Sequence, residues 1–252
     1  MKTNWSSSFL SFIFIVLFFT FNSSFTVPEK KTDGSSEDTV KDIDGNIYNT
    51  VKIGSQVWMA KNLNTTKYND GTRIPNVTDF RQWSTLTTGA YCNYDNAGII
   101  ATEYGHGRLY NFYAVNTGKL APTGWHVPTD NDWTILVNYL IANGYNYDGT
   151  KDKNKPAKSL ASFFNWELSI NEGTPGKNTE DNNSTGFSAL PSGYRKYGGT
   201  FYDLFYYGYW WSSSEEGTSF ASYRYMYYNS SSVGSGNNYK TTGFSVRCVR
   251  DY

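Results

Sequence analysis

The chain has 252 residues, with 22 basic and 22 acidic side chains and no formal net charge. No overall field therefore draws it to nucleic acid, an anionic membrane or acidic substrates. Its 22 Tyr, 16 Phe and 8 Trp are unusual and suit either β-strands or a surface built to bind.

The first element is an apolar run, "FLSFIFIVLFFTF" at residues 9–21, behind the single positive charge of Lys2. It is short for a membrane span and has the length of a signal-peptide core. Residues 1–26 are therefore read as a signal peptide and the protein as exported, to the extracellular space or cell envelope. No membrane span would remain after cleavage. No cysteine follows the run to carry a lipid anchor. Residues 27–40 are charged, small and without hydrophobic period, the pattern of a linker. Residues 41–252 form the remaining domain.

That domain begins with "DIDGNIYNTVKIGSQVWMAKNL", which predicts two strands joined at Gly54 and Ser55. Asp42, Asp44 and Asn46 sit at the first, third and fifth places of a calcium loop. Ile47 then replaces the required Gly and Ile53 the bidentate Glu, so an Asp-Gly turn is the better reading. "YGHGRLY" lacks the third glycine of a dinucleotide fingerprint. In "GWHVPTDNDWTILVNYLIANG", Trp125 and Val127 share a strand face. Thr129 can cap a helix there, and Trp133, Leu136, Val137, Leu140 and Ile141 form one apolar stripe before Gly144. A shorter helix is expected at "KPAKSLASFF" and a surface loop over residues 174–185.

Short β-like runs follow to the end: "GFSALPSGYR", "YGYWWSS", "ASYRYMYYN" and "FSVRCVRDY". Helices in the middle and an antiparallel sheet at the end make an α+β pattern. Adjacent strand residues face opposite ways. Trp211 is therefore assigned to the core, and Trp210 to the other face, covered by a loop or open to a partner. Residues 222–242 are rich in Tyr, Ser, Asn and Gly, the composition of adaptable recognition surfaces. The candidate binding residues are Trp210, Tyr223, Tyr225, Tyr227 or its alternate-face neighbour Tyr228, Asn229, Asn238 and Tyr239. Residues 230–238 are expected to be an exposed loop.

Neither cysteine, Cys92 or Cys248, lies near a second Cys or a His at metal-ligand spacing, so no metal and no cofactor are expected. Export and an even count predict instead that the two form a disulfide. The two histidines, His106 and His126, have no activated serine beside them in sequence, and no nucleophile elbow occurs.

Several of these runs together resemble the Fibrobacter succinogenes major paralogous domain, a family of exported bacterial proteins common in Bacteroidetes and Fibrobacteres. They are "VKDIDGNIYNTVKIGSQVWMAKNL", "GRLYNFYAVNTGKLAPTGWHVPTDNDW", "GFSALPSGYR", "YWWSSSEE", "ASYRYMYYNSS" and "GFSVRCVRDY". The likeness covers residue 40 to the C-terminus. Through it the chain is similar to the C-type-lectin-like group, which includes the formylglycine-generating enzymes. The fold this implies is a small twisted antiparallel sheet, two helices and long irregular loops. The oxidase activity of those enzymes needs two cysteines close together near the C-terminus, where Cys248 stands alone, so it is not carried over. The leading expectation is an exported, non-catalytic binding module for a glycan or a surface protein. An enzyme related to sulfatase-modifying factors or a hydrolase is the first alternative. A structural surface protein without a small ligand is the second.

Overall fold

The computed structural model describes residues 38–252 apart from Glu103. The expected signal peptide and most of the expected linker lie outside the described residues. Strands β1 (Thr39–Lys41), β2 (Ile47–Ile53) and β3 (Gln56–Met59) form an antiparallel meander. β1 begins inside the stretch read as linker. It pairs because Val40 packs on the core beside Tyr48. The Asp42 carboxylate accepts the amides of Asp44 and Asn46 at 3.0 and 2.9 Å and the Tyr48 hydroxyl at 2.6 Å. This is the expected Asp-Gly turn. Gly54, at φ +63, closes the second hairpin.

The middle of the chain is built from short pieces: α1 (Phe80–Ser84), β4 (Tyr91–Cys92), α2 (Gly98–Thr102), β5 (Leu109–Tyr110) and α3 (Phe112–Val115). β4 and β5 pair as a two-stranded ribbon. β6 (Trp125–His126) then leads into α4 (Asp130–Ala142), the one long helix. Its start matches the expectation: the Thr129 hydroxyl accepts the Asp132 amide at 3.2 Å, and Asp132 accepts the Thr129 amide at 2.8 Å. Two otherwise unsatisfied donors are thereby paired. Trp133, Leu136 and Leu140 are buried beneath it. The second expected helix is a single turn, α5 (Ala157–Leu160), after Pro156.

The rest of the chain is strand: β7 (Ser192–Arg195), β8 (Phe201–Leu204), β9 (Tyr207–Glu216), β10 (Phe220–Tyr227), β11 (Val233–Tyr239) and β12 (Val249–Arg250). Two five-stranded sheets result. The first has the order β1-β2-β3-β12-β6 and the second β11-β10-β9-β7-β8. This overturns the expected α+β, C-type-lectin-like arrangement of one small sheet and two helices. The chain is mostly β, with five short helices among the described residues. Only residues 130–142 sustain a helical apolar stripe, and the other helices have four or five residues. The aromatic alternation after residue 190 builds a full sheet, not the margin of a small one.

The second sheet is buried on both faces at its centre. Trp211 packs into one core with Tyr110, Phe112 and Phe244, and Trp210 into another with Trp58, Trp133 and Phe187. Trp210 is thus neither loop-covered nor open. It is buried, and its indole donates to Asn62 Oδ1 at 2.9 Å. The pairing expected of Cys92 and Cys248 is also corrected. Both thiols are free and buried, in separate core clusters. Burial pushes Cys92 up to about 12 and raises Cys248 further, so both behave as small hydrophobes.

Candidate functional site

The segment expected to be a loop, residues 230–238, is instead mostly the edge strand β11, and that change builds the site. Antiparallel register sets Tyr223 opposite Gly236 and Tyr225 opposite Gly234. The rings fill the space the glycines leave. A Cβ on Gly234 would come within 2.2 Å of the Tyr225 ring, and one on Gly236 within 2.9 Å of the Tyr223 hydroxyl. A polar, glycine-rich run can therefore be a strand, because the rings of its neighbour supply the cover its own side chains lack.

On β9 the same face carries Tyr207 and Tyr209, which sit opposite Tyr227 and Tyr225. Tyr207 stacks on Tyr227 at 4.4 Å and on Tyr209 at 5.2 Å. Tyr209 in turn stacks on buried Phe244 at 5.1 Å. Tyr194 and Tyr202, from β7 and β8, extend the face at 5.1 and 5.8 Å spacings. The result is a half-buried tyrosine face rooted on Phe244. The opposite face of β10 points Arg224 and Met226 inward, both buried. The period-two reading left open which side packs; the structure leaves Tyr223, Tyr225 and Tyr227 partly exposed.

The polar ends of these rings differ. Tyr209 donates to Asp203 Oδ2 at 2.9 Å, and Tyr227 is hydrogen-bonded to Tyr228. The hydroxyls of Tyr207, Tyr223 and Tyr225 have no partner among the described residues. Burial raises the pKa of Tyr207 and Tyr223 above the ordinary phenol value, so at neutral pH these groups stay protonated. Each can donate as well as accept.

Of the other expected residues, Tyr228 lies at the border of the face, edge-on to Tyr227 and Tyr206. Asn229 is engaged by Ser169. Asn238 accepts from Thr242 at 3.0 Å and from the Tyr239 amide at 2.9 Å, so it shapes the end of β11. Tyr239 stands in a separate cluster with Phe220 and Tyr197. Trp210 is excluded by its burial. Tyr194, Tyr202, Tyr207 and Tyr209 were missed. The signal for two of them was present in "YGYWW", where alternation sets Tyr207 and Tyr209 on the face opposite Trp210.

A second polar constellation bears on the enzymatic alternative. His106 Nδ1 lies 3.1 Å from Ser192 Oγ, and its Nε2 lies 3.1 Å from Asn165 Nδ2. The serine also accepts from Asn62 at 3.1 Å. Both His106 and Ser192 are buried, and burial lowers the imidazole to about 4. The cluster reads as a hydrogen-bond network that ties three loops together. Among the described residues, no group of three His, Cys, Asp or Glu side chains is placed to hold a metal ion.

Two packed sheets that carry an aromatic face define a mostly-β domain whose most distinctive feature is a surface. The chain belongs to the family described as the Fibrobacter succinogenes major domain, whose model matches residues 51–250. None of the curated proteins matches the chain. None of the solved structures does either.

Proposed function

We propose that the protein is an exported, non-catalytic binding module that recognises a glycan through the tyrosine face of β9, β10 and β11. One observation carries this reading: three half-buried tyrosines whose rings are fixed by packing while their hydroxyls have no partner among the described residues. Fixed rings offer apolar area to the C–H faces of a sugar at little entropic cost, and free phenols meet its hydroxyls. Membership of a domain family names no ligand, so the argument rests on the surface itself.

A protein epitope is the second reading. It is favoured by exposed Leu168 and Ile170, whose loop is held beside Asn229 by Ser169. A combined array of glycans and surface proteins, probed with the purified domain, separates the two. Tyr225→Ala and Tyr223→Ala should each weaken a genuine glycan hit by about 30-fold, the loss expected of a buried anchor. Tyr228→Ala and Tyr239→Ala should weaken it less and leave the melting temperature nearly unchanged. Hits confined to proteins, or glycan hits indifferent to Tyr225→Ala, would remove the glycan reading.

A further inference from the structure

A cavity of about 470 Å³ opens where the end of β3, the loop after α2 and the segment after α5 meet. It has the size of a small-molecule pocket. We infer that it is a binding site for a small aromatic carboxylate carrying a hydrogen-bond donor on its ring. Three observations carry this, none of them involving the tyrosine face.

The first is apolar. Tyr104, Phe163 and Phe164 line the cavity and are 54, 42 and 68 % exposed. Three aromatic rings around one opening leave a concentration of apolar surface in water, of the kind that marks a binding site. Phe163 and Phe164 meet edge to face at 6.2 Å, so one wall offers a ring face beside a ring edge. An aromatic guest satisfies both.

The second is charge. Among the described residues, Lys61 is the one charged side chain in the lining. Among the described residues its ammonium forms no ion pair. A cation beside apolar walls, with no anion paired to it among the described residues, favours an anionic guest.

The third fixes an acceptor. Asn165 Nδ2 faces His106 Nε2 at 3.1 Å, while Ser192 Oγ lies 3.1 Å from Nδ1 of the same ring. With the amide in this orientation Nε2 accepts, and the imidazole proton sits on Nδ1 facing Ser192. Burial keeps this ring neutral, its pKa lowered to about 4. The Asn165 Oδ1 then has no partner among the described residues. Asn165 lines the same cavity, and that oxygen is suited to a ring hydroxyl. The carboxylate would meet Lys61, the ring Phe163, Phe164 and Tyr104, and the hydroxyl Asn165.

The test titrates 4-hydroxyphenylacetate into the full chain and follows the ligand by NMR. Saturable binding with a dissociation constant of about 1 mM or tighter is expected. Lys61→Gln should weaken it about tenfold. The neutral 4-hydroxyphenylacetamide should bind more weakly than the acid and equally to wild type and Lys61→Gln. Phe164→Ser, at a side chain exposed enough to spare the fold, should abolish binding of both, while Tyr225→Ala should change neither. The inference is overturned if the acid shows no saturation, if Phe164→Ser binds like wild type, or if acid and amide bind wild type alike.

Discussion

At the scale of single residues, His106 is the clearest case of a side chain whose chemistry was hidden in the sequence. Nothing near it in the chain announces Ser192 or Asn165, which lie 86 and 59 positions away. The burial of His106 makes stability depend on pH. Unfolded, the imidazole takes its proton near pH 6.5; folded, burial delays this to about 4. Between those values the unfolded chain holds more protons, so stability is full above about 6.5 and falls as pH drops toward 4. The separation corresponds to about 3 kcal/mol. Thermal melts between pH 7 and pH 4.5 should show this decline, and His106→Gln should flatten it. Equal slopes in the two proteins would show that the buried His106 does not set the pH dependence. Trp210 teaches a related lesson. Period two correctly put it opposite Trp211, but whether that second face met solvent or another core depended on Trp58, Trp133 and Phe187, all distant in sequence.

Elements were legible wherever their signals were local. The capping box and apolar stripe of α4 are complete within residues 129–141, and the β2–β3 hairpin announces itself with a glycine at its turn. β11 was hidden because its strand character comes from its neighbour. "VGSGNNY" has little β-propensity of its own, and only the rings of Tyr223 and Tyr225 make it a strand. This inverts the usual effect of substitution. Valine favours strands, yet Gly234→Val sets a Cβ against the Tyr225 ring and should destabilise by about 1–3 kcal/mol. Ser235→Val, at an exposed position in the next register pair, should be neutral or slightly stabilising. Urea denaturation of the two variants decides it, and a stabilised Gly234→Val would mean that the rings do not depend on the glycines.

For the whole molecule, strand existence was readable and strand order was not. β12 inserts between β3 and β6, and β7 pairs parallel with β9. Such pairings join distant segments, and strands of two to four residues are too short to display alternation. The fold class was therefore misjudged, while the family likeness, carried by long motifs, was sound over residues 51–250. The first sheet has a mechanical consequence. β1, β2, β3 and β12 are successively antiparallel, so the chain enters β1 and leaves β12 at the same end of the strands, three strand spacings or about 14 Å apart across the sheet. A pull between residues 38 and 252 acts across the strands and loads their hydrogen bonds in turn, as a zip opens, instead of shearing them together. The residues just before β12 pair with the second sheet, Gly243 with Arg195 and Ser245 with Trp210. In an optical trap the domain should yield first in a small low-force step, with the tyrosine face still intact, and a single abrupt rupture would contradict this. Once β12 has peeled away, strain from the C-terminal side would pass through Phe244 and Ser245 into β9, on which the tyrosine face stands.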